Sequence, residues 1–151
     1  VSDPSVDTTD GTLVFSASAE NIIVGIAQMP HAWKLESSIV PHIHLQSTST
    51  NTGDMVWRFD YDIAEINGSF AGSWTSDTVT VANDGTVGKH FVLAFDEIDM
   101  TGYDTISTVI KWRLARVGNN AADTYNSTSK LLEFDIHYQI DGLGSREERS
   151  K

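Results

Sequence analysis

Apolar and polar side chains alternate with a period of two through four segments of this sequence, and that period belongs to the β-strand, not the helix. The segments are Pro41-His42-Ile43-His44-Leu45, Met55-Val56-Trp57-Arg58-Phe59-Asp60-Tyr61-Asp62, Ile110-Lys111-Trp112-Arg113-Leu114 and Leu132-Glu133-Phe134-Asp135-Ile136-His137-Tyr138-Gln139-Ile140. Successive side chains of a strand point to opposite faces. Trp57, Phe59, Tyr61, Trp112, Phe134, Ile136 and Tyr138 are therefore expected on the core side. The other side is expected to carry His42, His44, Arg58, Asp60, Asp62, Lys111, Arg113, Glu133, Asp135 and His137. That is three fixed positive charges, four negative charges and three titratable imidazoles. A plain solvent face tends toward Thr, Ser, Lys and Glu. A face this rich in Arg, Asp and His is expected to meet a metal, a ligand or another subunit.

No stretch shows a 3.6-residue period of useful length. Strands are expected near 11–18, 20–28, 38–46, 54–63, 72–82, 89–96, 105–116 and 130–140. Turn chemistry separates them at Asp10-Gly11, Asn51-Thr52-Gly53-Asp54, Asn67-Gly68, Asn83-Asp84-Gly85 and Gly118-Asn119-Asn120. Eight strands with such turns predict an all-β, eight-stranded antiparallel β-sandwich, jelly-roll-like in its wrapping. The expected organisation is an N-terminal arm over 1–10, one sandwich domain over 11–141 and a charged C-terminal tail over 142–151. Gln28 to Lys34 breaks the alternation around Pro30 and should be a loop anchored by Trp33. The polar stretch 118–129 should be a long exposed connection.

The 151 residues suffice for one domain with a substantial core. No apolar run approaches the length of a membrane span, and no secretory signal is expected. The formal charge of −11 argues against a nucleic-acid-binding surface, which needs clustered Lys and Arg. The absence of cysteine removes disulfides, thiolate metal sites and cysteine nucleophiles.

His42 and His44, two apart on a strand, place both imidazoles on one side, and His90 and His137 are candidates to add ligands. This is the arrangement of metal-binding jelly rolls of the cupin type, with a cupin-like metalloprotein as one reading. The cupin pattern wants a Glu shortly after the pair, and Gln46-Ser47-Thr48-Ser49-Thr50-Asn51 supplies none. A non-catalytic ion held by His42 and His44 on a symmetry axis is the simpler metal site, and no other cofactor is expected. Asp60 with Asp62, and Glu133 with Asp135, have the spacing of a paired-carboxylate hydrolase. Arg58, Lys111 and Arg113 on the same face make ion pairing the expected role, and no catalytic residue is assigned. No Gly-x-Ser-x-Gly elbow, phosphate loop or EF-hand loop is present. Trp57 and Trp112 read as core, which leaves Trp33 and Trp74 as candidate platforms for a glycan.

The stretches Gln28-Met29-Pro30-His31-Ala32-Trp33-Lys34, Pro41-His42-Ile43-His44, Ala122-Asp123-Thr124-Tyr125 and Leu132 to Gln139 carry a resemblance that spans about residues 11–149. Together they resemble a family of small tailed-bacteriophage structural proteins, whose pattern often has an aromatic where Leu45 stands here. The resemblance implies a non-enzymatic virion protein, in capsid decoration, connection or a tail. Its expected partners are copies of itself, as a homotrimer, and other virion proteins, with neither nucleic acid nor membrane. The charged face would then be a subunit interface. The alternative in a different class is a carbohydrate- or receptor-binding module of a phage tail.

Overall fold

The computed structural model describes residues 1–144 and 147, and of the expected tail over 142–151 residues 145, 146 and 148–151 lie outside them. Nine strands form: β1 (Ser5–Val6), β2 (Leu13–Phe15), β3 (Glu20–Gln28), β4 (Ile39–Ser47), β5 (Thr52–Ala64), β6 (Thr75–Asp84), β7 (His90–Ala94), β8 (Val109–Val117) and β9 (Ser129–Tyr138). They make two antiparallel sheets, β1-β2-β9-β4-β7 and β3-β8-β5-β6, and no helix is present among the described residues. The pairs β5:β6, β4:β7, β3:β8 and β2:β9 are nested around the β5–β6 turn, as in one long hairpin. Two further ladders, β5:β8 and β4:β9, roll that hairpin into a sandwich. This is jelly-roll order, and the all-β sandwich expected from the alternation is what the chain adopts.

The eight expected strands are all present, the one over 20–28 with the expected ends and the others with changed ends. The expected strand over 11–18 shrinks to three residues, and the one over 105–116 starts at Val109. Ser107 explains the latter, because its φ of 64° takes the backbone out of the extended region just before the strand. The ninth strand, β1, belongs to the arm over 1–10, which is tied down by pairing to β2 and by Ser2 bridging to Asn21 of β3.

The core lies where the two sheets face each other. Ile39, Ile43, Leu45, Leu93 and Leu131 come from one side, and Met55, Trp57, Phe59, Ile110 and Leu114 from the other. Aromatic rings meet across the gap: Phe15 with Trp57 at 4.8 Å, Phe59 with Phe134 at 5.4 Å and Trp112 with Phe134 at 4.5 Å between centroids. Trp112 also lies flat over Gly25, where a Cβ would come 2.3 Å from the ring. Only glycine lets the indole cover β3 this closely.

The connection 118–128 is not simply an exposed polar loop. Asp123 and Tyr125 are buried in it, beneath the end of the sandwich. Arg116, which points inward opposite Trp57, explains this. Its fully buried guanidinium forms a bidentate pair with Asp123 (Nε–Oδ2 3.0 Å, Nη2–Oδ1 2.8 Å) and donates to the carbonyls of Ser127 and Tyr125. Asp123 Oδ2 accepts the Val56 amide as well. A buried charge costs several kcal/mol unless paired and hydrogen-bonded, and the loop supplies that pairing. Asp123→Ala leaves the guanidinium uncompensated, so the expected loss is about 3–5 kcal/mol in urea unfolding. A loss within the error of the measurement would mean that water replaces the loop.

Candidate functional site

The ten polar residues expected on one face occupy two, because their strands belong to different sheets. Arg58, Asp60, Asp62, Lys111 and Arg113 lie on the outside of β5 and β8. His42, His44, Glu133, Asp135 and His137 lie on the outside of β4 and β9.

The first group is closed on itself. Asp60, buried, accepts from Arg113 (Nη2–Oδ2 2.9 Å), Arg58 (Nε–Oδ1 3.2 Å) and Ser76 (Oγ–Oδ1 2.6 Å). Arg58 also reaches Glu20 at 2.6 Å. Burial works against the Arg58 charge, but Glu20 and Asp60 outweigh it and raise its pKa. Asp62 accepts the amides of Ala71 and Gly72, and Lys111 sits 3.8 Å above the Phe70 ring. The Asp60–Asp62 pair thus has structural partners for both carboxylates.

The second group is built by a bulge. Leu45 pairs with Leu131 but His44 pairs with Glu133, so Leu132 is an extra residue in β9. One extra residue inverts the alternation. Leu131 points inward before it; Phe134 and Ile136 point inward after it. Glu133, Asp135 and His137 are turned outward onto the face of His42 and His44. On the other flank, β7 brings in His90 through the Gln46↔His90 pair.

The result is a chain of contacts over four histidines. His44 Nδ1 is 2.7 Å from His90 Nε2, and its Nε2 is 3.5 Å from Asp135 Oδ2. Asp135 Oδ1 lies 2.5 Å from His42 Nε2. The His42 and His137 rings meet edge to face at 4.2 Å. The donor atoms of His42, Asp135 and His137 lie within 4.8 Å of one another, as do those of His44, Glu133 and Asp135. His42 is 5% exposed. Burial lowers its pKa most, nearby His137 and His44 lower it further, and Asp135 and the Val40 carbonyl oppose them.

Of the candidate glycan platforms, Trp33 does not serve. It is 0% exposed, and its indole N–H donates to the Ser37 carbonyl at 3.1 Å, so the loop closes over it as part of the core. Trp74 is 39% exposed, with the Arg113 guanidinium 4.2 Å over its ring. Tyr138, expected on the core side, is exposed.

One feature escaped the sequence reading: an open side of the sandwich. β2 covers β9 only at Ser129–Leu131, and among the described residues no strand pairs the same edge of β9 from Leu132 to Tyr138. The neighbouring edge of β3 is equally free beyond its bridge to Ser2. Between these edges is a cleft of ≈ 340 Å³ lined by Ile26, Met29, Trp112, Phe134, Ile136 and Tyr138, among others. Val24 and Ile26 beside it are each 71% exposed. The run Ile22-Ile23-Val24-Gly25-Ile26-Ala27 was the available signal, since both its faces are apolar.

The fold and site together define a jelly-roll sandwich with a histidine–carboxylate cluster on one outer face. No family model matches the chain, and no curated protein matches it. Among solved structures it is similar to an arabinose-bound GH51 α-L-arabinofuranosidase, with a TM-score of 0.43 and 9% identity over 89% of this chain. The chain spans only 20% of that structure's length, and a likeness this slight carries no functional argument.

The lowered His42 pKa has a definite sign for stability. The unfolded imidazole takes up a proton near its ordinary value of 6.5, while the folded one resists it, so stability is present above that value and falls as pH drops below it. His44, His137, Asp135 and Glu133 face the same ring environment. His42→Gln should flatten the fall in the urea midpoint between pH 7 and 5, measured with EDTA present. An unchanged pH profile in the variant would count against this assignment.

Proposed function

We propose that this protein is a non-enzymatic assembly subunit, a virion structural protein of the tailed-phage kind its sequence resembles, and that it packs against copies of itself. The open side of the sandwich is the observation that supports this reading most directly. Sheet edges in free-standing proteins are blunted by lysine, proline, bulges or covering loops. β3 has nine residues, no proline, no basic residue and no bulge, and between Asn21 and Gln28 it carries no charge at all. Exposed Ile26 lines the cleft together with exposed Tyr138, with exposed Val24 beside it. An apolar patch beside two unpaired edges is the signature of a surface that is covered in the working state.

The charged face of β5 and β8 is matched inside its own chain, which favours the open side as the contact between copies. A homotrimer is the form implied by the resemblance, with three open sides turned to a common axis. The proposed setting is the virion, alongside other virion proteins.

Light scattering during gel filtration tests the reading. The intact protein is expected to run at three times its chain mass of 16.6 kDa. Val24→Lys with Ile26→Lys, both at outward positions, should return it to monomers with the fold intact. A native protein that is monomeric at tens of micromolar overturns the proposal. Binding on a glycan array that Trp74→Ala abolishes would favour the glycan-binding module instead.

A further inference from the structure

We propose that His42, His137 and Asp135 form a zinc-class divalent metal site, one ion per chain, with His44 and His90 positioning its carboxylate. The inference concerns the outer face of β4 and β9; Asp135 also borders the open-side cleft, so its test reads metal uptake and not oligomeric state.

Three observations carry it. The first is the facing of His42 and Asp135: Nε2 of the buried imidazole is aimed at Oδ1, 2.5 Å away, across the β4:β9 ladder. The second is that Oδ1 is buried and receives no aligned hydrogen bond, its close neighbour being the His42 nitrogen, while Oδ2 faces His44. A buried carboxylate oxygen so poorly matched is costly, and an ion drawn between ring and carboxylate, with that short contact opening to admit it, supplies the missing charge. The third is the donor set itself. His137 completes three donor atoms within 4.8 Å, two nitrogens and one oxygen, on a rigid two-strand ladder. Imidazole donors suit zinc, nickel, copper or iron rather than calcium or magnesium, and the exposed flank leaves room for water or a fourth donor.

The adjoining triple, His44 with Glu133 and Asp135, shares the carboxylate but is the weaker centre. Both nitrogens of His44 are engaged, one toward Asp135 Oδ2 and the other toward His90. That chain has the form of an outer shell, in which partners beyond the ligands orient a carboxylate toward the ion. The pair His42 and His44, read from their spacing as joint ligands, thus divides into a ligand and a positioning residue.

Tag-free protein, stripped with EDTA and titrated with Zn²⁺ by calorimetry, should take up one ion per chain and melt at a higher temperature when loaded. Co²⁺ should give visible d–d absorption as a second readout. His137→Ala and the isosteric Asp135→Asn are expected to weaken Zn²⁺ by more than about a hundredfold and to change the Co²⁺ spectrum. His44→Ala should weaken binding by about 10–100-fold with the spectrum's shape retained. His31→Ala, on the Gln28–Lys34 loop, should change neither. Melting in EDTA confirms that each variant is folded. Absence of stoichiometric uptake by the native protein overturns the proposal. So does uptake that His137→Ala and Asp135→Asn leave intact.

Discussion

A single inserted residue sets the phase of the strand on which this structure depends. Without the bulge at Leu132, the alternation that buries Leu131 would send Glu133 and Asp135 into the core and Phe134 and Ile136 into water. The bulge lets one strand serve two roles along its length. Its first residues close the sandwich beneath β2, and its last ones fill the aromatic centre while presenting acids to the histidines of β4. Ring contacts of Phe134 with both Phe59 and Trp112 hold the shifted register in place. A slip back by one residue would bury two carboxylates, and that cost keeps the register single-valued.

The alternation in the amino-acid sequence was enough to locate the strands and to say which side chains of β4, β5, β8 and β9 point outward. It could not say that β4 and β5 lie in different sheets, because pairing partners leave no mark on a strand's own period. One imagined face therefore became two. Trp33 was misplaced because a loop with a proline looks exposed, whereas a single hydrogen bond to Ser37 lets the indole be buried whole. The 118–128 connection was misread for a related reason. Polar residues are excluded from interiors only when unsatisfied, and Asp123 is satisfied by Arg116 and the Val56 amide. His90 was already a candidate from its residue type, and the pairing of β7 with β4 gives its place: it meets His44 and not the carboxylate. The doublet Leu131-Leu132 was the visible trace of the bulge.

The two outer faces solve opposite problems. On β5 and β8, every charge named in the sequence has a counter-charge, a backbone amide or an aromatic ring within reach, so the face is electrically finished. On β4, β7 and β9, four imidazoles and two carboxylates crowd together around a buried carboxylate oxygen that receives no aligned hydrogen bond, so this face is less fully matched. Between them runs the side where β2 stops short, and there the deficit is of backbone pairing and apolar cover, not of charge.

Nested pairing also has a temporal meaning. In a chain folded as one long hairpin, the turn between β5 and β6 closes a short loop, while the outermost ladders wait for contacts between its two distant arms. His42 and Asp135 belong to different arms and meet only through the β4:β9 ladder, which rolls the hairpin shut. A half-folded molecule therefore owns all four histidines and, through β4:β7, the place for His44 beside His90, but not the contacts with Asp135 and His137. The cluster works as a seal on the finished roll: its chemistry comes into being only at the step that makes the chain whole.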